Sequence, residues 1–216
     1  HQRPDSGLQI MGEHCVRVHP NLLVIPGTKL EQVKTVLSQP PLLGQVRGFV
    51  RRHGIATRAG ADTAGSADVV AKTNDPSLAA LASELAGEIY GLEVLARHIE
   101  DRADNTTRFL VMSPQPRPAP TAGALTTFVF RVRNIPAALY KAMGGFATNG
   151  VNMTKLESYM VDGLFTATQF YADIEGHPDE PRVRRAMDEL AYFTTHLQVL
   201  GVYTRSGARP SAPVGE

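Results

Sequence analysis

The first hundred residues alternate between short apolar, β-prone runs and segments whose apolar residues recur at helical spacing. Apolar runs between Leu8 and Ile25, separated by His-Pro-Asn, predict two strands, and Val33–Leu37 predicts a third. The apolar positions of Leu42–Val50 then follow a helical period, which predicts one helix extending to Gly54. This succession of strand, turn and helix is typical of an α/β unit.

The same succession repeats twice more along the chain. Ile55–Ala61 predicts a weak strand, and Ala64–Lys72 predicts a helix. Ser77–Ser83, rich in small residues, predicts a buried strand, and Glu84–His98 predicts a helix broken or kinked near Gly91. Strands that alternate with helices predict parallel pairing and right-handed crossovers, so we expect the α/β class.

The second half of the chain has a different pattern and begins after a proline-rich segment. Residues 113–123 contain four prolines and predict an extended, stiff linker. The segments that follow predict strand, helix, strand, strand, helix and strand: 124–132, 136–148, 151–161, 165–174 (after a turn at Gly163), 181–196 and 197–203. This βαββαβ order is the ferredoxin-like motif. The tail from Ser206 is rich in Pro, Gly and Ser, and we expect it to be disordered.

Composition narrows the classes of partner. With 216 residues, a net charge of +1 and no cluster of basic and aromatic residues, the chain can form one large or two small domains, and we expect no nucleic-acid partner. The single Cys15 excludes an internal disulfide, and without clustered His or Cys we expect no structural metal. No apolar run approaches about 18 residues, so we expect no membrane span, and the absence of a signal-like start favours a cytoplasmic protein.

Asn105–Met112 is the segment in which we expect a functional site. Its polar start, Asn-Thr-Thr-Arg, runs directly into a strand-like apolar run. A buried hydroxyl without a partner costs about 1–3 kcal/mol, so polar side chains here favour a site over a scaffold. Neighbours in a strand face opposite ways, so Thr107 and Arg108 are predicted on opposite faces. Arg108 is then either a substrate ligand or a cation on the surface or bridging two lobes.

Three hydroxyl residues occupy the predicted corners between strand and helix: Ser38, Thr63 and Ser83. Helix N-termini at such corners favour anions, so these residues could line a cavity facing Thr107. They are equally explained as helix N-caps. Gln45 lies about one turn into the helix after Ser38, where it could face the same corner or the solvent.

The histidines and the cysteine are weaker candidates. His14, His19, His53 and His98 all lie in the α/β part, and none falls at a predicted corner between strand and helix. We therefore expect none of them to be the catalytic acid. Cys15, in a β-prone run, is interpreted as a small buried apolar group and not as a nucleophile.

Two motifs, in order, resemble a known family. "NTTRFLVMS", preceded by "LAALASELAGEIYGLEVLARHIED", resembles the end of the catalytic domain of prephenate dehydratases, with Thr107 to Phe109 matching a Thr-Arg-Phe motif. The βαββαβ segment resembles the ACT regulatory domain of that family. The resemblance covers about Ser6 to Tyr203.

The resemblance implies conversion of prephenate to phenylpyruvate, with loss of carbon dioxide and water, in phenylalanine biosynthesis. It implies a catalytic lobe similar to periplasmic binding proteins, a homodimer or tetramer formed through the ACT domains, and no metal or organic cofactor. The residues implied for each role are Thr107, Ser38 and Gln45 for catalysis; Thr63, Ser83 and Arg108 for prephenate; and Gly123, Ala124, Leu125, Asn149, Glu157 and Ser158 for L-phenylalanine as effector.

The resemblance also implies domain bounds and departures from the family pattern. We expect a catalytic domain over 1–113 that lacks its N-terminal segment, a linker over 114–122, an ACT domain over 123–205 and a tail over 206–216. Gln39 and Pro41 depart from the family's Ser-His-Pro-Gln, and Tyr159-Met160 replaces its Arg-Pro. A non-catalytic protein that senses amino acids through the cleft and the ACT domain is the alternative.

Overall fold

The computed structural model describes residues 6–102, 104–115, 118–120, 122–160 and 167–209, which fall into two units. Residues 16–107 form one unit, here called the α/β unit. The described parts of 1–15 and 108–216 form the other, here called the βαββαβ unit. The predicted domain boundaries at 113 and 123 remain predictions, since the division into units follows other positions.

The strands are β1 (Gln9–Arg17), β2 (Asn21–Val24), β3 (Thr35–Ser38), β4 (Ala56–Ala59), β5 (Leu78–Ala82), β6 (Glu93–Ala96), β7 (Thr106–Ser113), β8 (Ala124–Val132), β9 (Met153–Met160), β10 (Ala167–Glu175) and β11 (Thr194–Thr204). The helices are α1 (Pro40–Leu43), α2 (Arg47–Arg52), α3 (Thr63–Thr73), α4 (Glu84–Tyr90), α5 (Ala138–Thr148) and α6 (Pro181–Phe193). β1 and β7 pair as a two-stranded sheet. None of the described helices is long and apolar enough to cross a membrane.

The α/β unit is built on a five-stranded sheet in the order β4-β3-β5-β2-β6. Every residue of β5 is buried, because side chains pack against both faces of this central strand. Ala79 and Leu81 join a cluster with Phe49 of α2, whereas Ala80 and Ala82 join a cluster with Val70 of α3. The run of small apolar residues thus reflects a strand covered on both sides, as the sequence predicts.

Three predictions for this unit are corrected. The expected helix through Leu42–Val50 is two short helices, because the chain turns at Gly44 and restarts at Arg47. The expected helix to His98 ends at Tyr90, where Gly91 adopts a φ of 66°, and the chain then forms strand β6. Pairing is only partly parallel: β3 is parallel to β4 and β5, but β2 is antiparallel to β5 and β6. The apolar run predicts β2 as a strand, but local periodicity does not reveal that β2 lies between β5 and β6 and runs opposite to both.

The second unit has the predicted element order, β8-α5-β9-β10-α6-β11, with all strand pairs antiparallel in the order β11-β8-β10-β9. One sheet face packs on α5 and α6 through residues that include Phe128, Phe130 and Leu190. Helix α5 begins two residues later than predicted, after Ala137 in a left-handed conformation, and α6 ends at Phe193. The predicted turn at Gly163 lies outside the described residues.

Adjacent glycines in α5 give a matched pair of stability predictions. A Cβ added at Gly145 would lie 2.8 Å from the Cβ of Glu189 on α6, whereas one added at Gly144 meets nothing within 4 Å. We expect Gly145→Ala to lower the free energy of unfolding by about 1–3 kcal/mol through overpacking. Gly144→Ala should raise it by about 0.5–1 kcal/mol through helix propensity. Urea unfolding measures both, and equal effects of the two variants would contradict this account of α5–α6 packing.

Candidate functional site

A cavity of about 410 Å³ opens in the α/β unit. Its apolar wall includes Val16, Val18 and Leu42, and its polar lining includes Arg17, His19, Thr63, Ser83, Glu84 and His98. Such a mixture of an apolar wall with a few polar and charged groups suits a small organic anion with a ring or chain. This cavity is the candidate active site.

Two of the predicted site residues line this cavity. Ser83 is the N-cap of α4, and its Oγ accepts a hydrogen bond of 3.2 Å from the Ala86 amide. Thr63 is the first residue of α3, but the cap is Asp62, whose Oδ1 accepts a 2.6 Å bond from the Gly65 amide. Capping uses the Ser83 oxygen as an acceptor, so the hydroxyl proton remains available for a ligand.

Ser38 lies elsewhere. It is fully buried at the end of β3, where its Oγ donates a 2.9 Å hydrogen bond to the carbonyl of Leu81 on β5, and it is not among the residues that line the cavity. The catalytic role implied for Ser38 therefore remains a prediction, while its structural role in joining two strands is evident.

A stability measurement can isolate that structural role. Ser38→Ala is expected to lower the free energy of unfolding by about 1–2 kcal/mol, because it leaves the buried Leu81 carbonyl without this donor. Ser77→Ala serves as a control, because the Ser77 amide and hydroxyl both bond the exposed Asp75 carboxylate, where water can replace the hydroxyl. Equal stability of Ser38→Ala and the wild type in urea would contradict the structural role.

Gln45 and Asn105 are hydrogen-bonded to each other, and Asn105 belongs to the segment that precedes Thr107. The Gln45 Oε1 accepts a 2.6 Å hydrogen bond from the Asn105 Nδ2, and the Val18 amide donates a 3.1 Å bond to the Asn105 carbonyl. Val18 lines the cavity, and Thr107 itself is exposed on β7 and outside the lining. Gln45 therefore faces this segment and not bulk solvent, although its catalytic role remains a prediction.

Arg108 occupies the face of β7 opposite Thr107, as the alternation predicts. Its Nε donates to Glu13 at 2.6 Å, its Nη1 donates to Asp173 at 2.6 Å, and its third nitrogen bonds the Tyr203 hydroxyl. The Glu13 and Asp173 side chains are fully buried. Burial opposes the charge of Arg108, but Asp173, Tyr203 and Glu13 together outweigh burial and raise the pKa of Arg108. Burial and Asp173 raise the pKa of Tyr203 to about 12.

Arg108 joins Glu13, Asp173 and Tyr203 within the βαββαβ unit, which differs from the predicted position on the surface or between two lobes. A role in binding prephenate remains a prediction, and it would compete with these bonds. The same cluster holds part of the expected disordered tail: the Ser206 amide donates to Glu13 at 2.9 Å, and Arg209 lies 3.4 Å from Glu13 and 3.5 Å from Asp173. Ion pairing thus orders residues 206–209, and 210–216 lie outside the described residues.

A second cavity of about 410 Å³ lies in the βαββαβ unit, and it includes Glu157 of the expected effector residues. The Tyr159 hydroxyl and Lys155 both bond to the Glu157 carboxylate, in that order lowering the pKa of Glu157. The same bond to Glu157 raises the pKa of Tyr159 to about 12. A lowered pKa keeps Glu157 ionised, which suits an ammonium group.

The other residues implied for the effector lie outside that lining. Gly123 precedes β8 with a φ of 63°, and Ala124 and Leu125 are buried in β8. Asn149 ends α5 and bonds Glu189 and Arg185, and Ser158 pairs with Phe170. The described structure does not bring these five residues together in the lining of that cavity. Their effector role remains a prediction.

The sequence set His19 and His98 aside as weak candidates and gave no sign of Glu100, yet the structure places both histidines in the lining of the first cavity. His19 and Glu100 are 2.7 Å apart, and the rings of His19 and His98 stack with centroids 4.4 Å apart. His19 and Glu100 are separated by 81 positions along the chain, so no local sequence pattern indicates that they are in contact. Among the described residues no group of three or more His, Cys, Asp or Glu could hold a metal ion.

The structure thus defines a protein of two units with a mixed α/β fold and a cavity lined partly by polar residues. Comparison with known proteins gives its family. A family model described as "PDT: Prephenate dehydratase" matches residues 3–117, more than half of the chain. The chain belongs to the prephenate dehydratase family, which confirms the resemblance seen in the motifs.

Individual relatives extend this similarity. A bifunctional N-acyl-homoserine lactone acylase/prephenate dehydratase from Komagataeibacter europaeus is 48% identical over 95% of this chain and 74% of its own length. Arogenate dehydratase 2 from Petunia hybrida is 36% identical over 91% of this chain, which spans only 54% of that relative. The chain therefore spans about half the length of the plant relative.

Two solved structures are similar to most of the chain. One, titled "GqqA- a novel type of quorum quenching acylases", has a TM-score of 0.82 and 47% identity and covers 96% of this chain and 76% of its own. The other is a prephenate dehydratase from Arthrobacter aurescens in complex with L-Phe, with a TM-score of 0.82 and 30% identity, covering 95% and 69%.

Proposed function

We propose that this protein is a prephenate dehydratase that converts prephenate to phenylpyruvate, carbon dioxide and water. The family match over residues 3–117, which includes the Thr-Arg-Phe motif at Thr107, is the observation that carries the proposal. The cavity in the α/β unit has a mixed apolar and polar lining, which suits a dianion with a carbocyclic ring.

The reaction requires groups that bind the two carboxylates, an apolar wall for the ring and a hydrogen-bond donor to the departing hydroxyl. Arg17 and the Ser83 hydroxyl supply positive charge and a donor for the two carboxylates of prephenate. The apolar wall, including Val18 and Leu42, accepts the ring and keeps water from it. Thr107 donates a hydrogen bond to the departing hydroxyl, and Gln45 holds the preceding segment through Asn105.

The wider architecture is part of the proposal. Residues 1–113 would form a catalytic lobe similar to periplasmic binding proteins, 114–122 a linker and 123–205 an ACT domain that forms a homodimer or tetramer. The βαββαβ order with the strand order β11-β8-β10-β9 supports the ACT assignment. We expect sedimentation to give a dimer or larger species, and a monomer at micromolar concentration would contradict this.

L-Phenylalanine is the proposed effector, and the relative from Arthrobacter aurescens solved with L-Phe supports it. Glu157 would pair with the ammonium group of the amino acid. Because a hydrogen bond to a charged group is worth about 1.5–3 kcal/mol, Glu157→Ala should weaken L-Phe binding by about tenfold or more. Isothermal titration calorimetry measures the change, with the exposed Asp188→Ala as control. Equal affinity of the Glu157 variant and the wild type would remove Glu157 from the effector site.

Product formation tests the proposal, with prephenate and arogenate offered separately because relatives carry both names. Prephenate would give phenylpyruvate, whereas arogenate, which carries an amino group in place of the keto oxygen, would give phenylalanine. Turnover of either substrate by the protein supports a dehydratase. Binding of prephenate or L-Phe without any turnover would instead favour the alternative of a non-catalytic amino-acid-sensing protein.

A second activity is proposed from the names of two relatives at 47–48% identity. One is named as an N-acyl-homoserine lactone acylase as well as a prephenate dehydratase, and the other is titled as a quorum quenching acylase. The apolar wall of the cavity suits an acyl chain, and the polar lining suits an amide. Release of homoserine lactone from an N-acyl substrate tests this activity. Competitive inhibition of that release by prephenate would place both reactions in the same cavity; independent behaviour would separate them.

A further inference from the structure

His19 and Glu100 form an oriented pair on the wall of the cavity in the α/β unit. The Glu100 Oε1 lies 2.7 Å from the His19 Nδ1, and the Glu100 side chain is only 5% exposed, whereas that of His19 is 40% exposed. His19 lines the cavity and Glu100 does not. The carboxylate therefore lies behind the imidazole, with the imidazole between it and the cavity.

The Glu100 carboxylate is positioned to orient the His19 ring. Its second oxygen, Oε2, has no hydrogen-bond partner among the described protein atoms. Burial favours the neutral acid, but the hydrogen bond from His19, a backbone hydrogen bond and the nearby imidazoles of His19 and His98 together outweigh burial and lower the pKa of Glu100. An ionised carboxylate on Nδ1 fixes the ring orientation and stabilises the imidazolium, which leaves Nε2 as the nitrogen available to a ligand.

The surrounding backbone holds the two histidines in place. Asn21 is buried; its Oδ1 accepts from the His98 amide at 3.3 Å, and its Nδ2 donates to the His19 carbonyl at 3.4 Å. His98 has a φ of 52°, a conformation that costs a non-glycine residue about 1 kcal/mol or more and is enriched at functional sites. Asn21 thus holds both segments that carry the stacked rings, whose interplanar angle is 23°.

We propose that His19, oriented by Glu100, is the catalytic acid that protonates the departing hydroxyl group of prephenate; this inference rests on the proposed function. The bond from the ring to the carboxylate breaks and releases carbon dioxide, and its electron pair enters the ring as the bond to the hydroxyl breaks. The imidazolium Nε2 gives its proton to that hydroxyl, which leaves as water, and His19 is reprotonated from solvent.

This assignment resolves the weakness of Thr107 as an acid. A threonine hydroxyl donates a hydrogen bond but does not give up its proton near neutral pH, whereas an imidazolium does. Thr107 would then stabilise the leaving oxygen, and His19 would supply the proton. Glu100 acts through His19 and is a positioning residue.

The pH dependence of kcat gives the sharpest test. The charged or titratable groups that face His19 are Arg17, Glu84, His98 and Glu100. In the wild type kcat should fall as pH rises and the imidazolium is lost. His19→Gln should lower kcat by about 100-fold or more and abolish this fall, because general acid catalysis contributes about 10²–10⁴-fold.

Two further variants separate the proposal from a structural effect. Glu100→Gln should move the fall in kcat to lower pH while retaining activity on the acidic side, because the imidazolium loses its carboxylate. His14→Gln, an exposed histidine outside the cavity, should leave both kcat and the profile unchanged. Added imidazole should restore part of the turnover of His19→Ala.

The outcomes distinguish failure of this inference from failure of the proposed function. If the wild type turns over prephenate but His19→Gln stays within about threefold with the same pH profile, the inference is overturned and the dehydratase stands. If the wild type forms no phenylpyruvate, both the function and the protonation step are overturned. Shifts of the His19 ring resonances on adding phenylpyruvate would then retain His19 only as a ligand contact.

Discussion

Replacing Thr107 by valine is expected to lower the turnover of prephenate by about 100-fold or more while leaving the protein folded. A donor aimed at developing charge contributes about 10²–10³-fold to kcat, and valine keeps the shape and β-branching of threonine but removes that donor. Thr107 is exposed on β7, so the change should cost little stability. Initial rates of phenylpyruvate formation at saturating prephenate measure the effect.

Thr106→Val is the matched control for this experiment. Thr106 is the neighbouring residue on the same strand, and its replacement by valine also removes one threonine hydroxyl. That hydroxyl donates to the Asp104 carbonyl at 3.3 Å and has no proposed role in catalysis. We expect its turnover within about threefold of the wild type. Equal activity of the two valine variants would remove Thr107 from the catalytic machinery.

Asp173→Ala is expected to lower the free energy of unfolding by about 3–5 kcal/mol, the largest stability effect that the structure suggests. The fully buried Asp173 carboxylate accepts from Arg108 and, at 2.6 Å, from the Thr127 hydroxyl. Its removal leaves the largely buried Arg108 with Glu13 as its only carboxylate partner among the described residues, and it also takes away one of the partners of Arg209. Urea unfolding followed by circular dichroism measures the loss.

Two comparisons sharpen this second prediction. Asp188→Ala, on the exposed face of α6, should change stability by no more than about 0.5 kcal/mol. Arg108→Lys should still destabilise the protein, because one ammonium cannot reproduce three bonds directed at Glu13, Asp173 and Tyr203. A loss below about 1 kcal/mol in Asp173→Ala would show that the cluster contributes little to stability.

Much of the fold follows from local patterns in the sequence. The buried strand β5, the end of α4 at Gly91 and the βαββαβ order are each signalled by residue types and spacing that act over one element. The antiparallel direction of β2 and the strand β6 were not foreseen, because both depend on which strands become neighbours in the sheet.

Less of the site than of the fold could be predicted from the sequence, because its contacts also depend on which distant segments become neighbours in the fold. Thr63 and Ser83 could be expected at the cavity because strand-to-helix corners converge at one edge of a sheet. The partners of Arg108 and His19 lie 65 to 95 positions away along the chain, and only the completed fold joins them. A motif therefore indicated where chemistry should occur, and the structure was needed to find the charged groups around it.

Phenylpyruvate formation from prephenate shows whether this protein is a dehydratase that acts through Thr107, when it is measured for the wild type with and without L-phenylalanine and for Thr107→Val. We expect turnover by the wild type, a rate altered by L-phenylalanine, and near-complete loss of turnover in the variant. Prephenate bound by the folded wild-type protein with no phenylpyruvate formed would contradict it.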